Sequence, residues 1–323
     1  MERSPPEVDG TGQLDPAGVA ALGESIRQNV ALAVQVPERT LRDVLVALFA
    51  EGHVLIEDHP GVGKTALVRA LARSIDAAYA RVQCTSDLLP ADVVGTNVFN
   101  QREGRFEFRP GPVFANLVLV DEINRAPPKT QSGLLECMQE RHVTVDATTH
   151  ELARPFAVLA TQNPIEYAGT YPLPENQLDR FMVRVSLGYP AALSEVEMLT
   201  NHATGDRVLA LEPVASVADV LAAQNAVLRV HTSERLLRYA VDVLGRIRED
   251  PRVEFGASPR ASLMLVKAAK ARAALDARDH ALPDDIQELL PSVIAHRLLL
   301  APAAVDVARG EILADALDKV PAL

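Results

Sequence analysis

The sequence has 323 residues, 48% of them hydrophobic, and a formal net charge of −11. That length suits about two domains, and the acidic balance works against broad, sequence-independent contact with nucleic acid or an anionic membrane. No run of about 18 apolar residues exists to span a bilayer, and Met1 to Gly10 lack an apolar signal segment, so a cytoplasmic protein without membrane insertion is expected.

In chain order, Met1 to Asp15 is rich in Pro, Gly and acidic residues and reads as a mobile tail. Val19 to Val34 and Glu38 to Ala50 then carry apolar residues at helical spacing. A nucleotide base is expected against the junction of these two helices, near Val36 and Pro37.

His53 to Ala66 is the stretch that organises the rest. Val54, Leu55 and Ile56 form an apolar strand, a glycine-containing turn follows, and Ala66 to Arg73 has helical periodicity. This is the pattern of a phosphate-binding loop formed by Asp58, His59, Pro60, Gly61, Val62, Gly63, Lys64, Thr65 and Ala66. Backbone amides at the helix start face the β-phosphate, Lys64 bridges β- and γ-phosphates, and the Thr65 hydroxyl ligates Mg²⁺. Asp58 stands where the general pattern has glycine. An aspartate can take a left-handed turn position, and its carboxylate must then point away from the phosphates.

Tyr79 to Cys84 reads as a second strand, and Phe99 to Arg109 alternates charge with phenylalanine around a turn at Glu103 and Gly104. A β-hairpin is therefore inserted at about 97–110. Its Arg102, Arg105 and Arg109 are expected on an ordinary solvated face rather than on nucleic acid, given the acidic whole. The apolar strand Phe114 to Val120 ends in Asp121 and Glu122, at the edge where parallel sheets bind ligands. Asp121 is placed to hold the Mg²⁺ shell, and Glu122 to orient and deprotonate the attacking water.

A helix over Pro128 to Arg141 leads into a second hairpin, Arg141 to Leu152, turning at Asp146 and Ala147. The strand Phe156 to Thr161 ends at Gln162 and Asn163, where an amide beside the Asp-Glu strand can hydrogen-bond the γ-phosphate or the lytic water. Asn163 is a sensor candidate on that ground. Arg180 precedes a last strand, Phe181 to Val185. From about Pro190 the periodicity is helical throughout: Leu193 to Ala203, Val217 to Leu228, Ser233 to Arg248, Pro259 to Arg278 and Pro283 to Leu299. The expected division is a tail over 1–15, an α/β core over 16–188 and a helical lid over 189–323.

Two cysteines, Cys84 and Cys137, and eight scattered histidines suggest buried thiols, with neither a disulfide framework nor a zinc site. The chemistry then falls to ATP or ADP and Mg²⁺.

The ordered set HPGVGKT, VLVDEINRA, ATQNP, LPENQLDRF and GASPRAS resembles the MoxR family of AAA+ ATPases over about residues 15 to 300. The resemblance implies a P-loop αβα core with a parallel sheet and a small all-helical lid, assembled as a hexameric ring. It implies a chaperone-like ATP hydrolase that remodels, matures or activates a protein partner, often one with a von Willebrand factor A domain. By the same match Arg180 is an arginine finger and Arg260 is sensor 2, with Ser258 capping the helix that Arg260 begins. On that reading Arg260 reaches its own chain's nucleotide and Arg180 a neighbour's. Two further readings stay open: a nucleotide-gated scaffold with little turnover, and a motor acting on DNA.

Overall fold

The computed structural model describes residues 14–163, 170–189 and 206–322. Residues 1–13 of the expected tail over 1–15, and the helix expected over Leu193 to Ala203, lie outside the described residues. The last two residues assigned to that tail have defined places. Leu14 is buried, and Asp15 caps the first helix by accepting from the Gly18 amide at 2.7 Å, so neither belongs to a tail.

That helix, α1 (Pro16–Ala33), is followed by α2 (Glu38–Phe49), β1 (Val54–Glu57) and α3 (Lys64–Ser74). Next come β2 (Tyr79–Gln83), a short α4 (Pro90–Val94), and the hairpin β3 (Gly95–Asn100) with β4 (Arg105–Pro110). The Asp-Glu strand is β5 (Leu117–Asp121), and α5 (Pro128–Glu140) leads to a second hairpin, β6 (His142–Val145) with β7 (Thr148–Glu151). The core closes with β8 (Ala157–Gln162), α6 (Glu175–Leu178) and β9 (Val183–Val185).

Five strands form one parallel sheet in the order β2-β5-β8-β1-β9. The two-residue period of a strand sends alternate side chains to opposite faces, and here it sorts the core. Val54, Ile56, Leu117, Leu119 and Leu159 join α1, α2 and α3 on one face. Leu55, Val118, Val120, Val158 and Ala160 join α5 and the Val143–Leu152 hairpin on the other. Near-continuous apolar runs are what a sheet buried on both faces requires.

Among the described residues the lid holds helices Val217–Arg229, Glu234–Arg248, Pro259–Leu275, Pro283–Ile294 and Arg309–Lys319. The first face's core continues into these helices without a break, through residues such as Val220, Leu244, Leu265 and Leu289. The expected helix over Pro259 to Arg278 stops at Leu275, and Ala277 has φ +57°, a left-handed residue that ends a helix. The one over Pro283 to Leu299 stops at Ile294, because Leu299 and Leu300 pair antiparallel with Val253 to Phe255. This small ribbon and the Arg309–Lys319 helix were not legible as period. Among the described residues no helix is long and apolar enough to cross a membrane.

Candidate active site

The phosphate loop runs from the end of β1 to the start of α3. Gly61 has φ +85° and Gly63 φ +94°, conformations that side chains rarely adopt. A Cβ at Gly61 would meet nothing within 4 Å, and one at Gly63 only Val34 Cγ1 at 3.9 Å. The loop therefore opens onto free space rather than onto packed chain, and the α1–α2 junction borders it, where the base is expected. The α3 ladder begins with the Leu67 amide donating to Gly63 O at 3.0 Å. The amides of Lys64, Thr65 and Ala66 lie ahead of it, at the positive end of the helix dipole.

Lys64 Nζ donates to the carbonyls of Asp58 and His59 at 2.8 and 3.2 Å, which arches it across the loop. Burial pushes its ammonium down from the ordinary value, against the carboxylates of Asp58, Asp121 and Glu122, which pull it up. Thus Lys64 bonds the loop's own carbonyls while lying in the field of Asp121, which ends β5, and of Glu122, which follows it.

Asp58 does not use the left-handed conformation open to it: it is not among the residues of positive φ, and its role differs from that of a turn glycine. Its buried carboxylate accepts from the Leu187 and Gly188 amides at 2.5 and 2.9 Å and from Ser186 Oγ at 3.0 Å. The carboxylate does point away from the phosphates, and it ties the loop to the segment that leaves β9. His59 stacks on the exposed Tyr189 of that segment, with ring centroids 5.4 Å apart.

Glu122 holds a left-handed backbone, φ 55° and ψ 52°, which for a non-glycine residue costs about 1–3 kcal/mol and persists only where surroundings enforce it. The enforcing group is Thr161 on β8, which is fully buried. Its Oγ1 accepts from the Glu122 amide at 2.9 Å and donates to Asp121 Oδ1 at 2.7 Å. Asp121 Oδ2 accepts from Arg81 of β2 at 2.7 Å, and the Glu122 carboxylate pairs with Arg125 Nε at 2.8 Å. Thr161 and Arg81 were missed as site residues. Thr161 lies within ATQNP, so the motif flagged its neighbourhood without its role.

Asn163 is buried one residue past the Gln162–Glu57 register pair, at the end of β8, the strand between β5 and β1. The donor set fits a nucleoside triphosphate with Mg²⁺: a cradle of amides, one lysine, and hard oxygen ligands in Thr65 and Asp121. Cys84 and Cys137 are buried thiols that burial pushes up to about 12, inert at neutral pH.

The arginines lie elsewhere. Arg180 donates to the Leu135 carbonyl on α5, and its buried Nε has no partner among the described residues. Burial, together with the charge of Arg260, pulls its guanidinium down from the ordinary value. Arg260 donates to Gln139 Oε1 at 3.3 Å, in the last turn of α5. Its charge also bears on His53, at the N-terminal end of β1. The expectation that Arg260 reaches its own chain's nucleotide is therefore corrected. The phosphate loop follows the opposite, C-terminal end of β1, and the lid's packing on α1 and α2 holds the start of the Pro259–Leu275 helix beside α5 instead.

Two segments match family descriptions: 53–183 the ATPase family associated with various cellular activities (AAA), and 245–316 an AAA lid domain. Chaperone MoxR1 of Mycobacterium tuberculosis is 41% identical over 81% of this chain and 72% of its own. Protein MoxR of Methylorubrum extorquens is 33% identical over 91% and 92%. The chain belongs to the MoxR family of AAA+ ATPases. A Bacillus subtilis member, uncharacterized protein YeaC, is 51% identical over 80% of this chain and 81% of its own. A Cytophaga hutchinsonii protein of known crystal structure superposes with a TM-score of 0.89 at 38% identity, over 95% of this chain and 97% of that one. The AAA+ core and lid expected from the motifs are thus those of the MoxR family.

Proposed function

We propose that this chain is a Mg²⁺-dependent ATP hydrolase that works as a ring, a hexamer by family resemblance, and couples turnover to remodelling, maturing or activating a protein partner. The observation that carries the reading is the Thr161 clamp, which sets Asp121 and Glu122 side by side at the sheet edge within the field of Lys64. Strained backbone clusters at active sites, and at Glu122 it coincides with a buried hydroxyl that contacts both acids. The name of the mycobacterial relative, a chaperone, supports a protein partner, and a von Willebrand factor A domain is the partner class that the resemblance favours.

In this mechanism the loop amides and Lys64 bind the β- and γ-phosphates, Lys64 exchanging its two carbonyl contacts for phosphate oxygens. Thr65 and Asp121 would hold Mg²⁺, which would supply positive charge against that of the phosphates. Glu122 takes the proton of the attacking water at its carboxylate, and Asn163 orients that water or the γ-phosphate. Arg180 and Arg260, side by side on the edge away from their own loop, supply positive charge to the nucleotide of a neighbouring subunit.

The Arg125–Glu122 pair favours a second reading, in which the base is held off and the chain acts as a nucleotide-gated scaffold until a partner frees it. Steady-state phosphate release with Glu122→Gln and Lys64→Ala tests the first. The glutamine variant should bind ATP normally and lose most hydrolysis, because an amide keeps the shape but takes no proton, whereas Lys64→Ala should lose nucleotide affinity. Unchanged turnover in Glu122→Gln would falsify the assignment of the base.

A further inference from the structure

Asp179 precedes Arg180 and joins two elements that the sequence keeps about 80 residues apart. Its Oδ2 accepts from Ser258 Oγ at 2.9 Å, and its Oδ1 accepts from Arg297 Nε at 2.9 Å. Ser258 is the N-cap of the helix that carries Arg260 as its second residue, and the same hydroxyl accepts from the Ala261 amide at 3.2 Å. One hydroxyl thus donates to the carboxylate beside the first arginine while it caps the helix of the second.

Arg297 completes the joint from the lid. Its side chain is 2% exposed and donates to Phe181 O at 2.6 Å, Asp179 O at 3.3 Å and Met182 O at 3.4 Å. It therefore holds the backbone on both sides of Arg180. A buried guanidinium needs a charged partner or it is strongly destabilising, and Asp179 is its one ion-pair partner among the described residues.

We propose that Asp179 is a positioning residue that locks Arg180 and Arg260 into one unit, so that movement of the lid carries both arginines toward or away from a neighbour's phosphates together. This rests on the reading that both arginines act on a neighbouring subunit's nucleotide. Neither the carboxylate nor the Ser258 hydroxyl touches substrate; they act through the arginines. The arrangement explains why a carboxylate stands next to a finger arginine without neutralising it: its two oxygens are already occupied by Ser258 and Arg297.

The test breaks the tie without unwinding the helix. Aspartate caps a helix about as well as serine, so Ser258→Asp keeps the cap and replaces the donor with a second carboxylate facing Asp179. Its kcat at saturating ATP should fall about 10–100-fold, as small misplacements of catalytic groups do, with KM for ATP and the melting temperature little changed. Ser258→Thr, which retains the hydroxyl, should restore kcat, and Ser258→Ala, which folds without an added charge, should fall in kcat like the aspartate variant. Full kcat in both Ser258→Asp and Ser258→Ala overturns the proposal, as does a loss confined to KM. The underlying reading is judged separately, by mixing Arg180→Ala, and in a second mixture Arg260→Ala, with Glu122→Gln subunits, Ser258 being left in place. Recovered activity in both mixtures, alongside full kcat in the Ser258 variants, retires the clamp and leaves the neighbour-directed arginines standing.

Discussion

Replacing Thr161 by valine removes one hydroxyl from a fully buried position and keeps the shape. Two hydrogen bonds disappear with it. The one to the Asp121 carboxylate is charge-assisted, worth about 1.5–3 kcal/mol, and the Glu122 amide left without its acceptor costs about 1–3 kcal/mol, toward the low end because that amide is only partly buried. Asp121 keeps its pairing with Arg81, so the carboxylate is not stranded. The sum, about 2.5–4 kcal/mol, is a large share of the ~5–15 kcal/mol that holds a domain folded. For a chain of 323 residues it should lower the melting temperature by about 4–6 °C. The left-handed backbone at Glu122, no longer enforced, should relax and swing the base away from its water. Phosphate release should then fall about 10–100-fold while ATP affinity, set by Lys64 and the loop amides, stays near that of the parent. Thr161→Ser keeps the hydroxyl and should retain most turnover. A Thr161→Val protein that melts and hydrolyses like the parent would refute the clamp.

The placement of the two arginines predicts the outcome of subunit mixing. Arg180→Ala with Glu122→Gln, each inactive alone, should recover hydrolysis, and so should Arg260→Ala with Glu122→Gln; recovery with Arg180 alone would return Arg260 to its own chain's site. Asp43 on α2 faces Ser292, Arg39, Arg42 and Arg272, and burial pushes its carboxyl up from 3.8 to about 6 in spite of those arginines. The folded form binds this proton more tightly than the unfolded one. Asp43 therefore opposes folding increasingly as pH rises from about 4 to about 6, and by a constant amount, at most about 3 kcal/mol, above that. Melting temperatures of Asp43→Asn across pH 4–8 should lack that decline, and an unchanged slope would contradict the assignment.

The parts of this protein that were legible in the sequence are those whose cause is local. Val54 to Ile56 and Leu117 to Val120 are apolar runs long enough for a buried strand, and each ends in chemistry that its own neighbours define. The hairpin turn at Glu103 and Gly104 was legible for the same reason: Gly104 adopts φ +65°, which its residue type permits. Thr161, Arg81 and Asp179 were not, because their roles exist only once strands and helices distant in sequence are in register. For Asp58 a local rule allowed a left-handed turn and turned the carboxylate away from the phosphates, but could not say where it would go: the segment after β9 provides two amides and a hydroxyl for it. The direction of Arg260 was misread because cap chemistry locates the start of a helix but says nothing of which edge of the sheet the lid packs against.

The two hairpins are not independent arms. Phe108 of the β3–β4 hairpin stacks on His150 of the β6–β7 hairpin with ring centroids 3.9 Å apart, and Asn97 donates to Asp146 at 2.9 Å. The β6–β7 hairpin continues directly from α5, whose first residue comes six after Glu122. On the proposed mechanism, a partner that pulls on the tip of one hairpin therefore loads both, and α5 is the covalent route from that load to the acidic end of β5.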